Sequence, residues 1–170
     1  MRRFTSLNIK YLLTTLILIV AILGGAILWL RQAHPIPRYI TSQINHIILY
    51  PDANSGVTVD TSSFKYDDAN KLLSYSAKMG GTAITVSEQA TPESFTDIPQ
   101  AYDKFVSGLG EYGSFDSSLG KVYLTHPKDL NGQQSAVMNT KGTLLFIHPT
   151  NGDLSDDQWR KIFNGLRVVK

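Results

Sequence analysis

The chain has 170 residues, with 16 Lys and Arg against 14 Asp and Glu, a formal charge of +2 and a pI near 8.8. Four of those positives, Arg2, Arg3, Lys10 and Arg31, flank one apolar run, which leaves 12 basic residues against 14 acidic ones in the remainder. That remainder is slightly acidic and its basic residues are scattered singly, with no stripe to follow a phosphate backbone, so nucleic acid is not an expected partner.

The first ten residues form a basic tail. Tyr11 to Leu30 (YLLTTLILIVAILGGAILWL) then carries no charge over twenty residues. As a helix this run covers roughly 30 Å, the hydrocarbon thickness of a bilayer. The charge balance favours a cytoplasmic tail, 1–10, and a C-terminal domain facing out of the cell. Gly24 and Ala26 are small enough for signal-peptidase cleavage, but Ile27 to Leu30 continues the apolar run and Trp29 sits where an interfacial aromatic belongs. An uncleaved signal anchor over 11–30 is therefore expected. Ala21 and Gly25, four apart, would let two spans approach closely, yet such spacing is common in apolar helices and is weak ground for a dimer.

Residues 31–38 (RQAHPIPR) read as a short stiff linker, since Pro35 and Pro37 disfavour helix before them. His34 reads there as a solvated side chain. From Tyr39 onward, short apolar runs alternate with turn residues. Ile44 to Tyr50 ends at Pro51; Val57 and Val59 follow, then Phe64 and Tyr66 before the Asp67-Asp68-Ala69-Asn70 turn. Leu73, Tyr75, Ala77 and Met79 alternate into a Gly80-Gly81 hairpin, with Ala83, Ile84 and Val86 on the returning strand.

A loop with Pro92 and Pro99 leads into a helix whose Tyr102, Phe105, Val106 and Leu109 share one face, ending at Gly108 and Gly110. A glycine-rich turn through Gly113 comes next. Lys121 to His126, Gln133 to Asn139 and Thr143 to His148 then form a three-strand meander, with turns at Lys128–Gly132 and Asn139–Gly142. The last element is a helix with a Ser155/Gln158 capping box, Asp156 and Asp157 in its first turn, and Trp159, Ile162, Phe163 and Leu166 on one face. The expected fold class is α+β: a transmembrane helix followed, over 39–170, by an antiparallel sheet of about six strands packed by two amphipathic helices.

Gly142-Thr143-Leu144-Leu145, Leu154-Ser155-Asp156-Asp157-Gln158-Trp159-Arg160, Ser87-Glu88-Gln89 and the N-terminal anchor together resemble uncharacterised bacterial single-pass membrane proteins with a small extracytoplasmic α+β domain. The resemblance implies a location and a fold. It assigns no activity and carries over no functional residue.

Chemistry-bearing residues are sparse. The absence of cysteine excludes disulfides, thiolate metal sites and a Cys nucleophile. No Asn-x-Ser/Thr acceptor occurs, which favours a bacterial envelope over a eukaryotic secretory home. His126 and His148 each end an apolar strand before a proline; brought to one rim with Asp129 or Asp153 they would make a two-His, one-carboxylate metal site. Their spacing matches no compact motif, so they stand as weak metal candidates and no cofactor is expected.

No Gly-x-Ser-x-Gly elbow is present, and Ser114, Ser117 and Ser118 read as turn residues. Glu88, Glu93 and Glu111 fall in or beside loops, where a hydrolytic carboxylate pair is conceivable and solvation is the simpler reading. Tyr39, Tyr50, Tyr66, Tyr75, Tyr102, Tyr112 and Tyr123 would suit a recognition face, although packing explains most strand tyrosines. With no catalytic motif, the expected role is a non-enzymatic binding or scaffolding accessory protein of the cell envelope, with the membrane and an envelope protein as partners. The alternatives are a small envelope hydrolase and a ligand-carrying or sensing domain.

Overall fold

The computed structural model of the protein describes residues 35–169. The expected span at 11–30, its small-residue pair and His34 lie outside them. Among the described residues no helix is long and apolar enough to cross a membrane. The folded unit begins at Ile36, three residues before the expected boundary, because Ile36 and Ile40 are already buried in its core.

The elements run α1 (Arg38–Thr41), β1 (Leu49–Pro51), β2 (Val57–Val59), β3 (Lys65–Asp67), β4 (Leu72–Met79), β5 (Thr82–Ala90), α2 (Ser94–Asp97), α3 (Ala101–Gly108), β6 (Glu111–Ser117), β7 (Gly120–Thr125), β8 (Ser135–Thr140), β9 (Thr143–Pro149), α4 (Asp156–Asn164) and β10 (Leu166–Val168). Eight strands form one antiparallel sheet in the order β2-β4-β5-β9-β8-β7-β6, with β3 also pairing β4; β1 and β10 pair separately. The α+β class and the large antiparallel sheet match expectation, and the strand number exceeds it.

Local chemistry sets the tight turns. Met79 pairs with Thr82, leaving Gly80-Gly81 as a two-residue loop, and Gly80 has φ 62. Thr140 pairs with Thr143 around Lys141-Gly142, where both residues hold positive φ, 48 and 81, the signature of a turn whose twist suits a hairpin. In α4 the capping box forms as read: Ser155 Oγ accepts from Gln158 N and Gln158 Oε1 accepts from Ser155 N.

Two corrections concern strands. The segment read as a glycine-rich turn through Gly113 is β6, an edge strand with an irregularity between Glu111 and Gly113. Phe115 is its one buried apolar side chain, so its own pattern is too faint to declare a strand; pairing with β7 makes it one. Within Ile44 to Tyr50, only Leu49 and Tyr50 become strand, because the partner β10 is three residues long.

Register lines up two apolar rows on the inner face. One crosses six strands as Phe115, Val122, Met138, Leu145, Glu88 and Leu73; the next holds Leu124, Ala136, Ile147, Val86 and Tyr75. These rows bury against α4, through Trp159, Ile162 and Phe163, and against the segment 36–51, whose Ile36, Ile40, Ile44, Ile48 and Leu49 are at most 2% exposed. At about 1.5–3 kcal/mol per fully buried aliphatic side chain, those five residues make the segment a structural part of the domain.

The outer face divides in two. Tyr123, Val137 and Phe146 on β7 to β9 are covered by α2 and α3 through Phe95, Tyr102, Phe105 and Val106. Across β5 and β4 the same row continues as Ser87 and Ser74, and no helix covers that polar half among the described residues.

Candidate functional site

Glu88 is the one polar residue in its six-strand inner row, and it is wholly buried. Alternation along β5 puts Ile84, Val86 and Glu88 on one face, so the sheet that buries the two aliphatics buries the carboxyl with them. Glu88 is therefore not a loop glutamate. The signal lay in the sequence, since Glu88 continues the inward series two residues after Val86.

The carboxyl meets the segment that lies over the sheet. Leu49 N donates to Glu88 Oε2 at 2.9 Å, and the Tyr75 hydroxyl reaches Leu49 O at 3.4 Å. One strand further on, Thr143 Oγ1 donates to Ile47 O at 2.7 Å. On the other side of the segment Val169 N donates to Ile48 O at 3.0 Å, and β10 pairs with β1. Side chains from β4, β5 and β9 thus clip the first three residues of 47–51, a strap, onto the inner face.

Glu88 Oε1 has no hydrogen-bond partner among the described residues. Burial pushes the Glu88 carboxyl up to about 8, against the opposing pull of the Leu49 amide. The physical reason is that an ionised carboxylate there would be stripped of water with one donor in return. Burial, the Glu88 charge and the Tyr50 hydroxyl together raise Tyr75 well above the usual phenol range.

The remaining candidates do not converge. Thr125 pairs with Ser135 and Ala136 with Ile147, so His148 is level with Thr125 and His126 falls one position further. Strand alternation then places the two imidazoles toward opposite faces at the same end of the sheet. His126 is exposed, stacks on Tyr112 at 4.3 Å between ring centroids, and has Nδ1 2.8 Å from Gly132 O. That carbonyl can only accept, so Nδ1 carries a proton and donates to it. His148 is half-buried opposite Thr85, and burial lowers its pKa. Among the described residues no group of three or more His, Asp and Glu is placed to hold a metal.

Comparison with protein-family models, with curated proteins and with solved structures finds no match to this chain.

Glu93 and Glu111 are exposed, at the start of α2 and of β6. Ser114 is a strand residue in β6, while Ser117 Oγ donates to Gly120 O at 2.8 Å and does the turn duty expected of it. Tyrosine forms no single face. Tyr75 is core, Tyr50 and Tyr66 pack against the core, Tyr102 and Tyr123 meet edge-on under α3, and Tyr39 and Tyr112 are exposed at separate places.

A feature with no motif behind it lies at the β2 edge. Thr58, Val59 and Asp60 from β2 and its end, with Ser76 and Lys78 from β4 and Ala83 from β5, line an open groove of about 330 Å³. It runs onto the uncovered polar half of the outer face. Its register follows from Thr58 pairing with Lys78 and Lys78 with Ala83.

Proposed function

We propose that this chain is a membrane-anchored extracytoplasmic module that binds another component of the bacterial envelope without catalysis. The uncharged run at 11–30 supplies the anchor, and the folded unit starts at Ile36, leaving a tether of five residues between them. A domain so closely held works at the membrane surface.

The observation that carries a binding role is the groove at the β2 edge together with the polar half-sheet beside it. Its volume lies at the small end of the range for ligand clefts, it is open to solvent, and its largely apolar lining carries the hydroxyls of Thr58 and Ser76 and the opposite charges of Asp60 and Lys78. The inner-face carboxyl, by contrast, is sealed from substrate.

The test places a photo-crosslinking residue at Ser76 or Lys78 in the full-length chain in cells, with Asp103 on the exposed side of α3 as control. The proposal expects a discrete adduct from the first two sites and none from the third. Equal labelling from all three, or none, would remove the groove as a binding surface.

A further inference from the structure

Residues 47–51 are held by unusual means for a strand. The strap contributes a short ladder to β10, but toward the main sheet its backbone is gripped by three side chains: Thr143 on Ile47 O, Glu88 on Leu49 N and Tyr75 on Leu49 O. Of these only Glu88 can gain or lose a full charge in an ordinary pH range. Its second oxygen is buried without a partner among the described residues.

We propose that Glu88 is a proton-dependent latch, holding the strap on the inner face while its carboxyl is neutral and loosening it when the carboxyl ionises. The coupling rests on the Leu49 amide of the strap, the one donor the buried carboxyl has among the described residues. A neutral carboxyl keeps the Leu49 bond through Oε2 and leaves a dry hydroxyl at Oε1, whereas an anion in the same place is far costlier to keep from water, which lifting of the strap admits. This goes beyond the binding role above and stands whether or not a partner is captured at the groove.

The direction follows from proton counting. An open strap exposes Glu88 to water with a pKa near 4.5, whereas the closed strap holds it at about 8. Below 4.5 both forms are protonated and closure is at full strength. Between 4.5 and 8 the closed form binds one proton more, so the open population rises tenfold per pH unit; above 8 it levels off.

The other titratable groups around the latch are few. β4 contributes Tyr75; the strap contributes Tyr50, which pairs with Arg167 of β10, and the nearly buried His46 precedes it; β9 presents Leu145, and α4 packs the uncharged Trp159, Ile162 and Phe163 into the same core. Both tyrosines are raised by burial and stay neutral through the window. His46 is therefore the control.

The experiment is amide hydrogen exchange of the full chain in lipid nanodiscs from pH 5 to 9, corrected for intrinsic exchange. Protection of the Leu49 and Val169 amides is expected to fall about tenfold per pH unit up to 8 and then flatten. Amides of Tyr123 and Val137 in β7 and β8 should hold their protection. Glu88→Gln should flatten the slope at Leu49 and Val169, and His46→Gln should leave it in place. The wild-type series alone decides the matter if Glu88→Gln fails to fold. A pH-independent Leu49 amide, a parallel fall in β7 and β8, or a slope that disappears with His46→Gln would each overturn the latch.

Discussion

Gly165 offers the sharpest test of how the C-terminal end of α4 meets the loop that follows β1. It caps the helix at φ −92 and ψ 7, a conformation any residue adopts, so backbone preference alone predicts that Gly165→Ala stabilises the protein by about 0.5–1 kcal/mol. The packing says the opposite. A Cβ at Gly165 would lie 2.6 Å from Ser55 Cα, closer still to Ser55 Cβ, and 3.2 Å from Lys161 O. The loop carrying Ser55 would have to back away. Overpacking of this kind costs about 1–3 kcal/mol, and the retreat would stretch the 2.7 Å bond from Asp52 N to Gly165 O, worth about 1 kcal/mol more.

The net expectation is destabilisation by about 2 kcal/mol, or roughly 5–10 °C in Tm for a domain of this size. Urea and thermal unfolding of the full chain in micelles measure it. The control is Ser55→Gly, which removes the nearest atom while losing the Ser55 Oγ bonds to Asp52 O and Val57 N. In the double variant the two losses should fall short of additivity by about 1 kcal/mol. A neutral or stabilised Gly165→Ala would refute the close approach.

Ser155→Ala removes one half of the capping box and should cost about 1 kcal/mol in the same unfolding assay, with the main sheet unchanged by circular dichroism. The orientation is tested by the chain's lack of cysteine: Asp68→Cys, at a side chain 77% exposed, should react with a membrane-impermeant maleimide in intact spheroplasts. Labelling only after lysis would place the domain in the cytoplasm and sink the envelope reading.

Where neighbours in sequence settle a structure, the sequence was enough. The hairpin at Gly80-Gly81, the turn ending at Gly142, the capped helix α4 and the face of α3 each follow from residues within a few positions of one another, because turn geometry, capping and periodicity are local. The slightly acidic charge of the folded region and the absence of cysteine chemistry were likewise decided by composition.

Pairing over long separations was not legible. Strand β6 has one apolar inward residue and exists because β7 offers it a ladder, and β1 becomes a strand through β10, more than a hundred residues away. Glu88 shows the division most clearly. Its alternation with Ile84 and Val86 marked the face it would take, but burial comes from Leu49 and the strap laid over that face, and it is burial that turns an ordinary carboxylate into a neutral acid. A side chain's direction is set by its own strand, whereas its dielectric surroundings are set by whatever distant segment covers it.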